Sequence, residues 1–245
     1  MINLNNKMER KEFLKKIFFS LGSFLSVSAL LNACENLTQK TTTGNTLNQT
    51  TSGSCTISPS ETKGPFPIKT PSDLAKANIV SDRKGIPLLV TIKIQNKNNN
   101  CKDLSNVMVD IWHCDAEGNY SEYGGTGMQS IDYTSVHFLR GRQTTNEKGE
   151  VSFITIYPGW YRGRAPHIHV EILDNNNKSL LSTQIAFPED ISDTVYTNSN
   201  YKGKADTSNS SDNVFSNSIS LNMADSIKGN NNDGYTLSKI ITVNG

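Results

Sequence analysis

The chain lacks a charge excess of either sign, since its 24 Lys and Arg nearly balance its 23 Asp and Glu. It has no dense basic stripe, so it offers no electrostatic footprint for nucleic acid, which is not an expected partner. It also lacks an internal repeat, and no segment carries a long apolar pattern of helical period. These absences favour one mostly β domain with extensions.

Apart from the N-terminus, the sequence has no long apolar run. The run at residues 17–31 is 15 residues long, whereas a helix that spans a bilayer core needs roughly 20. Basic residues precede this run, as in an export signal: Lys7, Arg10, Lys11, Lys15 and Lys16. We therefore predict that residues 1–34 are an export signal and not a membrane span.

The apolar run ends in Leu-Asn-Ala-Cys, which resembles a bacterial lipobox with Cys34 as the acylated mature N-terminus. The prediction is a lipoprotein of the bacterial cell envelope, held at a membrane through Cys34. The alternative is an ordinary cleaved signal in which Cys34 is incidental. Residues 9–15 also resemble a twin-arginine signal with Lys11 in the second arginine position, so the export route stays open between this and the general secretory route.

Residues 35–54 are almost entirely polar, so they cannot repay the entropy of ordering and are predicted to be a flexible tether. Residues 55–245 are predicted to form the domain. Only three cysteines fall within it, Cys55, Cys101 and Cys114. In an oxidising compartment these could include one disulfide with one cysteine left over, and the pairing stays open.

The domain is predicted to be all-β, an antiparallel β-sandwich, because short apolar stretches alternate with clusters of turn residues. Polar residues dominate residues 198–213 and 229–233, which are predicted to be surface loops. The predicted strands cover residues 88–95, 107–114, 151–156, 166–173 and 235–243.

Two of the four histidines, His167 and His169, fall two apart in a predicted strand. Successive side chains of a strand point to opposite faces, so both imidazoles reach one site while Ile168, Val170 and Ile172 pack in the core. This is metal-ligand spacing, although histidines on strands are commonly solvated or structural. His113 and His137 share no face with the pair and are predicted to be structural or surface residues.

Two clusters carry the remaining chemistry. In residues 157–169, Tyr161 and Arg164 lie on a Gly/Pro turn before the histidine pair. In residues 109–120, a strand containing Trp112 leads into a turn that presents Tyr120. In isolation Tyr120 is best interpreted as an ordinary turn tyrosine, and Trp112 as core or cavity wall. Arginines 140, 142 and 162 could contact an anionic substrate, but surface arginines are commoner, so none of the three is assigned to the site.

Both clusters resemble the intradiol ring-cleavage dioxygenases, the family of protocatechuate 3,4-dioxygenase and catechol 1,2-dioxygenase. The similarity covers roughly residues 55–245 and is greatest to exported, single-domain relatives of protocatechuate dioxygenase. One departure is Arg-Ala-Pro-His, where protocatechuate dioxygenase has the two middle residues exchanged. The shared stretches are residues 61–66, 110–115, 138–141 and 157–169.

The resemblance implies a non-haem iron(III) enzyme that uses dioxygen to open a catechol-type ring between its two hydroxylated carbons, giving a muconate-type diacid. By position, one Fe(III) would be held by Tyr120, Tyr161, His167 and His169. Two phenolates suit ferric iron, because a bound cation can hold a phenol ionised at neutral pH. Tyr161 would also take up a substrate proton. Arg164 and Gln184 match active-site residues of the family, with Arg164 stabilising negative charge on the ring.

Two other functions remain open at this stage. The chain could be a non-catalytic β-sandwich lipoprotein that binds a ligand or partner at the cell surface, since fold alone does not set function. It could also be a zinc hydrolase, with Glu171 as a third ligand beside the histidine pair. The natural catechol and the oligomeric state are undetermined, and a homo-oligomer is compatible with the sequence.

Overall fold

The computed structural model describes residues 55–215 and 217–245. The export signal, the lipidated Cys34 and the tether predicted for residues 1–54 lie outside the described residues. Among the helices of the described part, none is long and apolar enough to cross a membrane.

The described residues form two sheets packed as a sandwich, and the predicted β-sandwich is confirmed. The short helices are α1 (Glu189–Val195) and α2 (Ile219–Asn222), with 3₁₀ turns at Pro71–Leu74 and Lys97–Asn99. The strands are β1 (Pro87–Asn96), β2 (Lys102–Asp103), β3 (Met108–Trp112), β4 (Arg140–Thr144), β5 (Glu150–Ile156), β6 (His167–Leu173), β7 (Ser179–Ala186), β8 (Ser226–Asn230) and β9 (Gly234–Val243).

The two sheets differ in strand direction. One has the order β4-β3-β6-β7 and is antiparallel throughout, as predicted. In the other, β1 pairs with β9 on one side and with β5 and β2 on the other, and β8 pairs with β9. The β1–β9 pair is parallel, so this sheet is mixed. β1 is the first strand of the domain and β9 is the last. The chain between them is therefore long enough for the crossover that parallel strands require.

Each predicted strand exists within two residues of its observed bounds, whereas β2, β4, β7 and β8 were not predicted. The predicted strands carry clear two-residue alternation, as in β1, where every second residue is buried. β4 has the sequence Arg-Gly-Arg-Gln-Thr, which offers no apolar alternation. Its place in the sheet comes from pairing with β3, an interaction that a local pattern cannot show.

The main core lies between the sheets and is apolar. Leu88, Val90 and Ile92 of β1 are fully buried there, in one cluster with Ile168 and Val170 of β6. β6 differs from β1 because all seven of its residues are buried. Its outer face, which carries the histidines, is therefore covered as well.

That cover is an N-terminal strap, residues 55–70, which runs along the outer face of the antiparallel sheet. The Glu61 amide donates to Ser182 O of β7 over 2.8 Å. The Lys63 ammonium lies 2.5 Å from the Glu171 carboxylate of β6. Further along, the guanidinium of Arg140 on β4 donates to Phe66 O at 2.9 Å. The strap thus touches three of the four strands of this sheet.

A disulfide between Cys55 and Cys101 anchors the start of the strap to the turn after β1, and Cys114 is a free, buried thiol. This settles the pairing that the sequence left open. The bond closes a loop of 46 residues, and loop-closure entropy gives such a cross-link a stabilising effect of about 4 kcal/mol, with measured values generally lower.

We predict that replacing Cys55, Cys101 or both by Ser lowers the free energy of unfolding by about 2–4 kcal/mol, because the unfolded chain gains freedom. Urea unfolding of the three variants measures this. The two single variants and the double variant should agree within about 0.5 kcal/mol, since each removes the same cross-link. The prediction would be contradicted if the double variant lost the sum of the two single-variant losses in free energy of unfolding, or if it lost none.

Candidate active site

His167 and His169 lie side by side on the covered face of β6, both buried, with their Nε2 atoms 3.1 Å apart. Nδ1 of His167 is 2.6 Å from Ala165 O. Because a carbonyl oxygen only accepts, this Nδ1 carries the proton and Nε2 presents a lone pair to the site. Two such nitrogens at this distance are stable neighbours only if a proton or a cation lies between them.

The His169 ring is held between Trp112 and the strap. The indole of Trp112, its cross-strand neighbour, stacks on it with centroids 4.8 Å apart and an interplanar angle of 2°. On the strap side, a Cβ added to Gly64 would lie 3.0 Å from His169 Cε1, and Gly64 has a φ of +68°. Only glycine suits this close approach and backbone conformation.

Tyr120 lies in the turn after β3, is fully buried, and brings its hydroxyl to 3.5 Å from His167 Nε2. Gln129 fixes the backbone, since its Oε1 accepts from the Tyr120 amide at 2.7 Å and its Nε2 donates to Tyr120 O at 2.8 Å. The ring of Phe66 from the strap stacks on Tyr120 at 4.7 Å. Tyr120 is therefore a rigidly held side chain, not an ordinary solvated turn tyrosine.

Tyr161 completes the cluster from the turn before β6. Its ring centroid lies 5.7 Å from that of Tyr120 and 5.6 Å from that of His167. Its hydroxyl accepts a hydrogen bond from Nη1 of Arg164 at 3.3 Å. Tyr161 is partly exposed whereas the other three side chains are buried, so it stands at the solvent side of the site.

Arg164 and Gln184 meet beside Tyr161. Nη2 of Arg164 donates to Gln184 Oε1 at 2.6 Å, and Gln184 Nε2 donates to Thr62 O of the strap at 2.8 Å. The structure thus brings all six site residues predicted from the sequence into one place.

Burial sets the protonation of the cluster. It lowers the pKa of His167 to about 3 and that of His169 well below the ordinary range, and the charge of Arg164 lowers both further. Both imidazoles are therefore neutral at pH 7, as metal ligands must be. Burial raises the pKa of Tyr120 and of Tyr161 above the usual value, with Arg164 opposing the rise. The phenols become phenolates only if a cation is bound beside them.

The donor set fits a hard, highly charged cation. Two neutral imidazoles and two phenols lie together, and the phenols, once ionised, would supply the two anionic oxygens that such an ion prefers. Within residues 55–215 and 217–245 no group of three His, Cys, Asp or Glu side chains could bind a metal. The zinc-hydrolase hypothesis wanted a carboxylate or a third histidine beside the pair, and Glu171, the carboxylate on the same strand face, is paired with Lys63. The tyrosine pair therefore fits the cluster better than a zinc-hydrolase ligand set.

The sequence did not identify two buried residues near the site. Arg140, which was not assigned to the site, is fully buried and donates from Nε to Ser121 Oγ at 2.9 Å and from Nη2 to Ser121 O at 2.6 Å. Asp212, within the predicted surface loop 198–213, is also fully buried and lies 2.8 Å from Arg164 Nε. The stretch shared at residues 138–141 could have pointed to Arg140. The surroundings of Asp212 in the sequence are uniformly polar and offered no signal.

The other polar residues have structural partners. Arg142 is partly buried and binds both carboxylate oxygens of Asp110, at 2.6 and 2.7 Å, whereas Arg162 is exposed. The imidazole of His137 is 41% exposed and contacts Glu122. His113 is buried, with Nδ1 2.8 Å from Cys114 O and Nε2 2.7 Å from Thr155 Oγ1, so both ring nitrogens have structural partners, in accord with its structural assignment.

Comparisons with known proteins show which family and fold the chain is similar to. The family model described as Dioxygenase matches residues 63–211. An intradiol ring-cleavage dioxygenase from Tetranychus urticae is 32% identical, with a TM-score of 0.69 over 78% of this chain and 95% of that one. The dioxygenase domain of a carbohydrate-binding fusion protein from Streptomyces sp. SirexAA-E is 25% identical, with a TM-score of 0.55 over 76% and 97%. No curated protein matches the chain.

We predict that His113 makes the fold acid-sensitive, because burial lowers its pKa from 6.5 to about 4. The unfolded chain binds this proton below pH 6.5, and the folded chain binds it only below about pH 4. The contribution of neutral His113 to the free energy of unfolding is therefore fully present above pH 6.5 and is lost as the pH falls from 6.5 to about 4. Across this pH range the free energy of unfolding falls by about 3 kcal/mol. Urea unfolding of His113→Gln should show a pH slope shallower by about one proton in this window. An unchanged slope would contradict the prediction.

Proposed function

The chain belongs to the intradiol ring-cleavage dioxygenases, and from that premise we propose that it is an iron(III) enzyme that opens a catechol-type ring between its two hydroxylated carbons. The product would be a muconate-type diacid containing both atoms of dioxygen. The observation that carries the proposal is the convergence of Tyr120, Tyr161, His167 and His169 at one buried position. The complete set, together with Arg164, favours an enzyme over the non-catalytic lipoprotein.

The four converging side chains would hold the metal, and a bound ferric ion would supply Lewis acidity that stabilises phenolate and catecholate oxygens. The chain itself presents the donors in a fixed arrangement. His167 keeps its Nε2 lone pair directed at the site through the Nδ1 hydrogen bond to Ala165 O. Gln129 and Phe66 hold Tyr120. Such preorganisation avoids reorganisation during reaction.

Tyr161 is the residue best placed to act as a base. It is the most exposed of the four donors, so a catechol that enters from solvent meets it first. As a phenolate, its oxygen accepts the proton that leaves a catechol hydroxyl, and the guanidinium of Arg164 remains 3.3 Å from that oxygen. The transfer leaves a neutral Tyr161 and an anionic substrate, whose charge Arg164 then stabilises.

The strap excludes water from the opposite side. Phe66 contributes an aromatic ring against both tyrosines, at 4.7 Å from Tyr120 and 6.2 Å from Tyr161, and Gly64 lies against His169. A dry pocket strengthens the interaction of Arg164 with a developing negative charge, because the local dielectric is low.

We predict that the purified protein supplied with iron(III) shows a visible tyrosinate-to-iron charge-transfer band and converts catechol, protocatechuate or hydroxyquinol to a ring-opened diacid. Tyr161→Phe should weaken the band and lower kcat by about 10²–10⁴-fold, because a ligand and a base are lost together. His137→Asn, which alters a histidine outside the cluster, should keep both properties. A wild-type protein that stays colourless with iron and cleaves none of the three substrates would support the non-catalytic lipoprotein.

We also propose that the enzyme is exported and anchored to a membrane of the cell envelope through acylated Cys34. The Cys55–Cys101 disulfide supports export, because such bonds persist in oxidising compartments.

Cells fed a labelled fatty acid should incorporate label into the wild-type chain, and Cys34→Ser should abolish the label and release the protein from membranes. Cys114→Ser is the matched control, since this cysteine is buried within the domain. Equal labelling of the wild type and Cys34→Ser would refute the anchor.

A further inference from the structure

Asp212 is a fully buried carboxylate that contacts the site from the polar segment after α1. Its Oδ2 accepts from Arg164 Nε at 2.8 Å and from the Ala165 amide at 2.8 Å. Its Oδ1 accepts from the Val214 amide at 2.9 Å, which fixes the segment that carries it. All the contacts of this carboxylate are therefore with Arg164, with the next residue of the chain, or with its own segment.

These contacts determine where the guanidinium of Arg164 points. Nε is used by Asp212 and Nη2 by Gln184, so Nη1 is the part that faces the hydroxyl of Tyr161. The ring of Phe215, three residues after Asp212, lies 5.4 Å from the guanidinium carbon. A guanidinium held on two edges and one face has little freedom to turn.

The same carboxylate also fixes the turn that leads into β6. It holds the amide of Ala165, and the carbonyl of Ala165 accepts from His167 Nδ1. A shift of Asp212 would therefore move Arg164 and the residue that orients His167 together.

We propose that Asp212 is a positioning residue for the ring-cleavage reaction, which holds Arg164 and the turn before His167 in their working arrangement. This inference rests on the proposed function. Its competitor is a carboxylate that only neutralises a buried arginine. The two differ because neutralisation needs a negative charge near Arg164, whereas positioning needs that charge at one distance and in one direction.

Three variants separate these roles. Asp212→Asn is nearly isosteric but has only one acceptor oxygen. Its side-chain NH₂ group therefore faces one of the N–H groups that donate to the carboxylate in the wild type. Asp212→Glu keeps the charge and displaces it by one methylene. Asp193→Asn is the matched control, because it removes an exposed ion pair, Asp193 with Lys204 at 2.7 Å, from the same region.

We expect Asp212→Asn and Asp212→Glu each to lower kcat by about 10–100-fold with KM changed less than about 3-fold, since misplacement of a catalytic group by about 1 Å has an effect of this size. Asp193→Asn should match the wild type. In an Arg164→Gln background, Asp212→Asn should lower kcat by a smaller factor than it does in the wild-type enzyme, because the part of its effect that passes through Arg164 is already lost. Wild-type kcat in Asp212→Glu, or losses that multiply in the double variant, would overturn the proposal.

A second readout does not depend on activity. In protein labelled with ¹⁵N-arginine, the Nε–H of Arg164 should be protected from exchange in the wild type and in Asp193→Asn, and unprotected in Asp212→Asn. Protection that survives in Asp212→Asn would contradict the positioning role even if no substrate were cleaved. If the wild type showed Asp212-dependent protection but no ring-cleavage activity, the proposed function would be refuted. The positioning of Arg164 by Asp212 would still stand.

Discussion

The two-residue side-chain period of β6 is the constraint on which the rest of the structure depends. It directs Ile168, Val170 and Ile172 into the core between the sheets and leaves His167 and His169 on the other face. A strand whose outer face carries two imidazoles cannot leave them in solvent and still offer a dry site. The strap of residues 55–70 resolves this conflict, because it covers that face and contributes Gly64 and Phe66 to the site.

Because the site lies on this covered face, charged side chains near it are buried as well. Arg140 and Arg164 are both buried, and burial lowers the pKa of Arg140 to about 10. Each is tied to backbone carbonyls or carboxylates that come from different parts of the chain. Breaking such a pair by removing one partner costs far more than the pair contributes, so these contacts specify one arrangement of strap, turn and sheet. The resulting rigidity suits the proposed function, in which four donors would meet one ion.

Much of this could be predicted from the sequence, for a physical reason. Apolar alternation is local, so β1 and β6 were located, and the resemblance identified Tyr120, Tyr161 and the histidine pair. Strand pairing and the covering of a sheet face depend on residues far apart in the sequence. For this reason the sequence did not predict β4 and did not assign Arg140 to the site. Asp212 could not be identified for a similar reason, since a carboxylate among Ser and Asn is usually solvated. Its burial is made favourable by the guanidinium of Arg164 and by two backbone amides, those of Ala165 and Val214.

The central claim is that two tyrosines and two histidines from two distant stretches of chain bind one ferric ion. The most direct test is anomalous diffraction at the iron edge from crystals of the iron-loaded protein. We predict a single peak bonded to Tyr120 Oη, Tyr161 Oη, His167 Nε2 and His169 Nε2. A peak at any other position, or a loaded crystal with none at this cluster, would contradict the account.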